Sequence, residues 1–233
     1  MTWPSGGGID PKAFWEDKLV GWEEGRYTLK PGRGLLERIA DRASDSLRFR
    51  LQSAGELLAP VVRDRHVVDV GCGTGLLAEA LLNAGCASYT GLDIAEGPIA
   101  QARERAAARG WTRARFEVAT VGTLPDIPRD VIVSLGLTDW LTDAELSTLL
   151  TWGGQADFLH AISEDRGSVP QRIHQAYCWI AYGWRTRGYV PRYFNPAWFA
   201  GLATNHPGPF RVWRHPRLSF GAYITTLPIG DPL

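Results

Sequence analysis

The chain has 233 residues, 25 Lys plus Arg against 25 Asp plus Glu, and 45% hydrophobic residues, which suits a globular protein with a full hydrophobic core. The zero net charge argues against a general nucleic-acid binder. The three cysteines form no Cys-x-x-Cys pair, which argues against a disulfide scaffold and a structural zinc site. The sequence offers neither a signal peptide nor a membrane span, so we expect a cytoplasmic protein with no membrane partner.

Apolar spacing and turn residues predict an alternation of helices and strands along the chain. The predicted helices cover residues 11–24, 35–58, 76–83, 97–110, 143–152 and 169–187, and another helix begins at Asn195-Pro196. The predicted strands cover residues 66–70, 88–92, 115–118, 131–135, 156–162, 210–213 and 218–226. Strands that alternate with helices imply a mostly parallel, doubly wound α/β sheet, and the last two strands form an antiparallel hairpin.

A glycine-rich turn follows the first predicted strand. Gly71, Gly73 and Gly75 are spaced as GxGxG and lead into a helix, where free backbone amides suit a nucleotide-like ligand. Asp93 ends the next strand, 18 positions after Gly75, where a carboxylate commonly accepts hydrogen bonds from a ribose diol. The spacing differs from the GxGxxG of dinucleotide binders, which argues against a nicotinamide cofactor. Because a glycine-rich turn alone is weak evidence, a nicotinamide-dependent oxidoreductase is still retained as an alternative.

An acidic residue in the first strand, Asp69, completes a pattern that resembles the class I S-adenosylmethionine-dependent methyltransferases over about residues 60–165. The resemblance implies a three-layer Rossmann-like fold with seven strands in the order 3-2-1-4-5-7-6. It also implies S-adenosylmethionine as cofactor, a small-molecule acceptor, and direct displacement as the reaction. Residues 1–58 would form a helical cap over the cofactor, and residues 59–233 the core, with a substrate-shaping insert around 166–205.

The resemblance also assigns cofactor contacts one position at a time. Asp69 would hold the loop near the amino group, Asp93 would bind the ribose hydroxyls, and Ile94 would pack on the adenine. Arg26 or Tyr27 would bind the carboxylate. The remaining cofactor positions lie in the glycine turn or directly after the third and fourth strands: Gly71, Cys72, Gly73, Gly75, Thr120, Val121, Ser134, Leu135 and Gly136.

The residues that would bind the methyl acceptor are less clearly indicated by the sequence. His160, in the fifth strand, is the candidate general base because imidazole titrates near neutral pH. Side chains that could contact an oxygen or nitrogen acceptor are Trp140, His174, Tyr177 and Arg192. Asp139, Glu164 and Asp165 lack the Asp-Asn pair of metal-dependent relatives, so no metal is predicted.

Two further questions stay open at this point. Residues 134–137, after the fourth strand, lack the Asn/Asp-Pro-Pro-aromatic signature of enzymes that methylate nucleic-acid amino groups, so a nucleic-acid acceptor is disfavoured. A non-catalytic subunit that only binds S-adenosylmethionine is the third hypothesis. A homodimer is compatible with the sequence, although no feature requires one.

Overall fold

The strands predicted from the sequence are all present in the computed structural model, which describes residues 9–16, 35–183, 186, 188–202 and 209–230. Within these residues the strands are β1 (His66–Val70), β2 (Ser88–Asp93), β3 (Ala114–Val118), β4 (Val131–Ser134), β5 (Asp157–Ser163), β6 (Arg211–Trp213) and β7 (Gly221–Thr225). They form one sheet in the order β3-β2-β1-β4-β5-β7-β6. Strands β1 to β5 are parallel, and β7 is antiparallel to both β5 and β6. The predicted fold class and strand order are confirmed.

Helices cover both faces of the sheet, and most of them pack apolar side chains against it. The described helical segments are α1 (residues 11–16), α2 (Leu35–Leu58), α3 (Ala78–Asn83), α4 (Glu96–Arg109), α5 (Asp143–Gly153), α6 (Val169–Cys178) and α7 (Pro196–Leu202). One layer buries side chains of α2, α3 and α4 against the sheet, and the other buries those of α5 and α7. None of the described helices is long and apolar enough to span a bilayer.

Helix α2 belongs to the first of these layers. Its residues Phe49, Ala54 and Leu58 are buried in the same core cluster as Val67 of β1 and Tyr89 of β2. Helix α2 is therefore part of the wall of the fold, although it lies in the segment predicted to be a cap. Residues 17–34 of that segment lie outside the described residues.

The C-terminal elements are shorter than the sequence pattern suggests. The helix predicted over residues 169–187 is α-helical only to Cys178 and continues as a wider π turn over Trp179–Gly183. At Gly183 a Cβ atom would lie 2.6 Å from the Trp179 ring, so the chain passes directly over that indole. Strand β7 begins at Gly221, later than predicted, because Pro216–Leu218 form a 3-10 turn before it. The predicted helix start at Asn195 is confirmed, since its Oδ1 accepts the N–H of Ala197 at 2.9 Å.

Candidate active site

The glycine turn lies where the sheet changes direction. The chain runs from β1 outward to β2 and β3 on one side, whereas β4 and β5 pair on the other side of β1. Connections on the two sides therefore diverge between the carboxyl ends of β1 and β4, and in open parallel sheets the crevice at this point binds ligands. The turn that follows β1 opens into that crevice.

The backbone of the turn has a conformation that favours glycine at three positions. The φ angles are +78° at Gly71, +54° at Gly73 and +72° at Gly75. A Cβ at Gly71 would lie 2.9 Å from Leu137 Cβ, and one at Gly75 would lie 2.5 Å from the Phe116 ring. The amides of Gly71 and Cys72 both donate to the Leu92 carbonyl, at 2.7 and 3.1 Å, so the turn is anchored to β2.

The carboxylate of Asp93 ties the end of β2 to this turn. Oδ2 accepts the N–H of Gly73 at 2.9 Å and Oδ1 accepts the N–H of Ala95 at 3.0 Å. Burial raises the pKa of Asp93, whose exposure is 6%. Each carboxylate oxygen can accept more than one hydrogen bond, so Asp93 retains acceptor capacity for a ligand hydroxyl at the crevice.

Asp69 has an unusual environment beneath the turn. Tyr89 donates its hydroxyl to Oδ2 at 2.5 Å, while Oδ1 is buried without a hydrogen-bond partner among the described residues. Burial raises the pKa of Asp69 to about 7. A buried acceptor that lacks a donor costs free energy, so this site favours a ligand that brings a donor or a positive charge. Tyr89 was not predicted from the sequence, because only the pairing of β1 with β2 brings it to Asp69.

The residues predicted to contact an adenine lie beside Asp93. The amide of Ala119 donates to the Asp93 carbonyl at 2.8 Å, which places Thr120 and Val121 directly after β3 at the same edge of the sheet. Ile94 is partly exposed next to Asp93. The positions that the resemblance assigns to the adenosine part are therefore adjacent in space.

A cation that the sequence analysis did not identify lies beside the segment after β4. Arg50 of α2 donates from Nη1 to the Leu135 carbonyl at 3.0 Å, and the same nitrogen lies 3.9 Å from where a Cβ of Gly136 would be. The guanidinium therefore lies at the carboxyl end of β4, where a ligand carboxylate could reach it. Arg26 and Tyr27, predicted for that task, lie outside the described residues.

Helix α1 lies over the neighbouring end of α4. Both carboxylate oxygens of Glu16 accept N–H groups of α4, from Gly97 at 2.6 Å and from Glu96 at 2.7 Å, and Lys12 forms an ion pair with Glu96. Free amides at a helix N-terminus favour such an anion. Since α4 begins three residues after Asp93, this contact brings α1 to the cofactor side of the crevice.

Aromatic side chains of α1 also contact aromatic residues on the other side of the crevice. Trp140, predicted to contact the acceptor, follows β4 and lies 4.8 Å from Trp15 and 5.1 Å from Tyr189 between ring centroids. Phe14 completes the cluster, 5.8 Å from Trp140. The indole N–H of Trp15 donates to the Tyr189 hydroxyl at 3.1 Å. We call Phe14, Trp15, Trp140 and Tyr189 the aromatic cluster.

The position of His160 does not suit the general base predicted from the sequence. His160 lies inside β5, three residues before its end, and is 1% exposed. Its Nδ1 bonds the Ser134 hydroxyl at 2.8 Å and its ring stacks on Phe158. Burial lowers its pKa to about 3, so the imidazole is a weak base. The sequence pattern placed the end of this strand one residue too early, at 162 rather than at Ser163.

The other predicted acceptor contacts differ in exposure and in their partners, although the rings of His174 and Tyr177 are 6.5 Å apart between centroids. His174 lies on the inner side of α6, with Nδ1 2.5 Å from the Tyr193 hydroxyl, whereas Tyr177 is 54% exposed on the outer side. Arg192 donates to the Leu141 carbonyl and forms an ion pair with Asp143, so its guanidinium holds the segment after β4. His174 and Trp140 remain compatible with an acceptor site, and the prediction that Tyr177 and Arg192 share it is not supported.

The carboxylates after β4 and β5 have protein partners. Asp139 accepts the N–H and the hydroxyl of Ser163, both at 2.8 Å, and Glu164 accepts hydrogen bonds from Arg166 and Arg214. The two arginines lower the pKa of Glu164, Arg214 most strongly, and burial raises that of Asp139. No group of three or more His, Cys, Asp or Glu that could hold a metal ion occurs in the described part of the chain.

Comparisons with known proteins show similarity to methyltransferases. Residues 67–152 match a protein-family model described as a methyltransferase domain. A ribosomal protein L11 methyltransferase from Azotobacter vinelandii is 33% identical over 107 residues, which is 45% of this chain and 37% of that protein. A trans-aconitate 2-methyltransferase from Delftia acidovorans is 36% identical over 110 residues, 42% of this chain and 39% of that protein. The chain thus spans well under half the length of these relatives.

Solved structures share the fold. Magnesium protoporphyrin IX methyltransferase from Synechocystis PCC 6803, with bound SAH, aligns with a TM-score of 0.68 and 13% identity, covering 92% of this chain and 96% of that one. At this identity the likeness concerns the fold, including the seven-stranded order described above.

Proposed function

We propose that this chain, whose residues 67–152 match a methyltransferase-domain family model, transfers a methyl group from S-adenosylmethionine to oxygen or nitrogen of a small metabolite. S-adenosylmethionine supplies, when bound, a methyl group already activated on a positively charged sulfur. The protein then has to bind the cofactor, align the acceptor and exclude water.

The observation that carries this proposal is the partnerless Oδ1 of Asp69 beneath the glycine turn. A buried carboxylate oxygen without a donor, with its pKa raised to about 7, suits the ammonium group of an amino acid. The pyrophosphate of a nicotinamide dinucleotide is anionic and would meet repulsion from Asp69. The site chemistry therefore favours S-adenosylmethionine over the dinucleotide alternative.

The same crevice contains residues that suit the other parts of the cofactor. Asp93 would accept the ribose hydroxyls, Ile94, Thr120 and Val121 would surround the adenine, and Arg50 would pair with the carboxylate. Together they match a ligand that has an amino-acid carboxylate at one end and a nucleoside at the other. They come from three separate segments, namely helix α2 and the chain at the ends of β2 and β3.

A small acceptor is supported by the aromatic cluster. Trp140 and Tyr189 lie against Phe14 and Trp15 at the crevice, and flat apolar side chains suit a compact organic acceptor and keep water out. The names of the relatives include both a protein acceptor and a small acid. An acceptor nitrogen that is already unprotonated at the working pH would need no protein base, which agrees with the burial of His160.

Calorimetric titration with S-adenosylhomocysteine, and separately with NAD, tests the cofactor. We expect micromolar binding of S-adenosylhomocysteine and none of NAD. Asp93→Ala should weaken the binding by about 10- to 100-fold, because ribose hydroxyls lose a buried acceptor. Glu117→Ala, an exposed change on β3, is the matched control and should bind as the parent protein does.

Screening metabolites with labelled S-adenosylmethionine then tests the transfer. Label in a small acid, phenol or amine supports the proposal, whereas label only in a protein substrate such as ribosomal protein L11 would contradict the acceptor class. Cofactor binding with slow hydrolysis and no transfer would favour a non-catalytic binding subunit. Binding of NAD alone would overturn the proposal.

A further inference from the structure

Two side chains that can exchange protons lie together near the carboxyl end of β5 and have no role in the proposed cofactor site. His174 of α6 and Tyr193 are joined by a hydrogen bond of 2.5 Å between the imidazole Nδ1 and the phenol oxygen. Both residues are half-buried rather than enclosed. Phe220 packs against both rings, with its centroid 4.9 Å from that of His174 and 5.7 Å from that of Tyr193. We call His174 and Tyr193 the imidazole–phenol pair.

The backbone on each side of Tyr193 holds the pair at the ends of two parallel strands. The amide of Arg192 donates to the Asp139 carbonyl, after β4, at 2.7 Å. The amide of Phe194 donates to the Ser163 carbonyl, the last residue of β5, at 2.8 Å. Tyr193 therefore lies at the carboxyl edge of the sheet, where the crevice of an open parallel sheet binds its ligands.

The chain before Tyr193 connects the pair with the aromatic cluster. Tyr189, four residues earlier, packs against Trp140 with 5.1 Å between ring centroids. The segment 189–193 thus runs along the turn that follows β4, with a flat ring at one end and the bonded phenol at the other. This arrangement suits a flat aromatic acceptor that packs on the rings and directs a polar group to Tyr193.

The surroundings of the pair keep the phenol protonated. Burial raises the pKa of Tyr193 well above its usual value, and the nearby Cys178 and Asp139 raise it further. A neutral phenol can donate its proton to a neutral imidazole nitrogen and accept a second hydrogen bond on its oxygen. The other imidazole nitrogen of His174, Nε2, lies 3.6 Å from Cys178 Sγ. A proton from a ligand hydroxyl can therefore reach the imidazole through the Tyr193 oxygen.

We propose that the imidazole–phenol pair accepts the proton of an aromatic hydroxyl, so that the methyl acceptor is a phenol. This inference rests on the proposed methyl transfer and deepens it. A free phenol has a pKa of about 10, so at neutral pH its oxygen needs a base before it is a good nucleophile.

The step balances without a further reactant. The acceptor oxygen forms its bond to the methyl carbon as the bond between carbon and sulfur breaks, and that electron pair stays on the sulfur. The acceptor proton passes to the Tyr193 oxygen while the Tyr193 proton passes to Nδ1 of His174. The imidazolium then releases a proton to water.

Methyl transfer to matched oxygen and nitrogen acceptors tests this proposal. The probes are simple phenols and the anilines that carry an amino group in place of each hydroxyl, with labelled S-adenosylmethionine at pH 7.5. An aniline nitrogen is already unprotonated at this pH and needs no base. We expect label in the phenols, and Tyr193→Phe and His174→Ala should each lower kcat for phenols by about 100-fold. Transfer to anilines and the affinity for S-adenosylhomocysteine should stay within about threefold, and added imidazole should restore part of the phenol activity of His174→Ala.

Gln175→Ala is the matched control, because it shortens an exposed side chain next to His174 on the same helix. It should methylate phenols as the parent chain does, and thermal melting should show that the variants fold. Tyr193→Phe keeps the ring, so it tests the proposal even if His174→Ala does not fold.

The outcomes separate this inference from the proposed function. Label only in anilines, full phenol activity in Tyr193→Phe, or equal losses for phenols and anilines would overturn the pair as base while methyl transfer itself stands. Binding of S-adenosylhomocysteine without transfer to any probe would overturn the phenol as acceptor. Failure to bind S-adenosylhomocysteine would instead contradict the proposed function.

Discussion

The region from β1 to β4 and the region from Glu164 to Gly230 build their surfaces in different ways. In the first, the key contacts use backbone groups: Gly71 donates its amide to the Leu92 carbonyl, and Asp93 accepts the amides of Gly73 and Ala95. In the second, side chains bind one another, as Glu164 does with Arg166 and Arg214. A surface made of backbone depends on a short run of glycines, whereas one made of side chains depends on partners far apart in the chain.

The difference has a consequence for specificity. Backbone amides at a glycine turn can hold one kind of ligand whatever the neighbouring side chains are, which suits a shared cofactor. In the second region the contacts join individual side chains, so a change there should alter single pairs and leave the backbone amides of the turn in place. We therefore expect changes in the first region to affect folding and cofactor binding, and changes in the second to affect local stability and partners.

Among the predicted changes, Gly75→Ala in the first region should lower the stability of the protein most. The new Cβ would lie 2.5 Å from the Phe116 ring at a φ of +72°, so we expect a loss of about 2–4 kcal/mol in the free energy of unfolding, measured with urea. Gly110→Ala has a φ of +65° but meets no atom within 4 Å, and should cost only about 1 kcal/mol. Equal costs for the two variants would mean that the close approach to Phe116 does not matter.

Asp69→Asn should separate stability from cofactor binding. Burial raises the pKa of Asp69 to about 7 in the folded chain, above the unfolded value near 4. The contribution of Asp69 to the free energy of unfolding is therefore fully present below about pH 4 and is lost as the pH rises through 7. At pH 8 the ligand-free variant should be more stable than the parent chain by about 1–3 kcal/mol. Its affinity for S-adenosylhomocysteine should fall about tenfold or more, because an amide attracts an ammonium group less.

A parent chain that is more stable than Asp69→Asn at pH 8, or a variant with full affinity, would contradict this assignment. Thermal melting across pH 4–8 and calorimetry at pH 8 supply both measurements.

His160→Ala lies at the border of the two regions and should act on stability alone. Removing a buried ring that bonds Ser134 should cost about 2–3 kcal/mol, while kcat should stay within about threefold. A kcat loss of about a hundredfold in a variant of unchanged stability would restore His160 as the base. Once an acceptor is known, urea unfolding and steady-state kinetics distinguish the two.

Glu164→Gln should have the smallest effect, confined to the second region. Arg214 and Arg166 lower the pKa of Glu164, so its contribution is present above about pH 4 and is lost as pH falls further. We expect the variant to be about 1–2 kcal/mol less stable at pH 7 and equal to the parent chain at pH 3, as urea unfolding would measure. Cofactor affinity should be unchanged, and a tenfold loss would link the two regions more closely than we infer.

The fold was predictable because each of its elements has a local cause. The strand His66–Val70 is a β-branched run, and the helix Leu35–Leu58 ends before Pro60. The glycine turn and Asp93 were predictable for the same reason. The π turn at Trp179–Gly183 was not, since it depends on how Gly183 packs on a single indole.

The sequence by itself determined the succession of strands and helices, the glycine turn and the carboxylates near it, because periodicity and glycine spacing act over a few residues. The strand order was implied only by the resemblance to a known family. Only the tertiary structure decided that Tyr89 and Arg50 join this site, that His160 is buried with a pKa of about 3, and that α6 turns its apolar side outward. These outcomes depend on which strands pair and which buried polar groups find partners. The contacts of Tyr89, His160 and Arg50 join residues 20, 26 and 85 positions apart, and no local pattern specifies them.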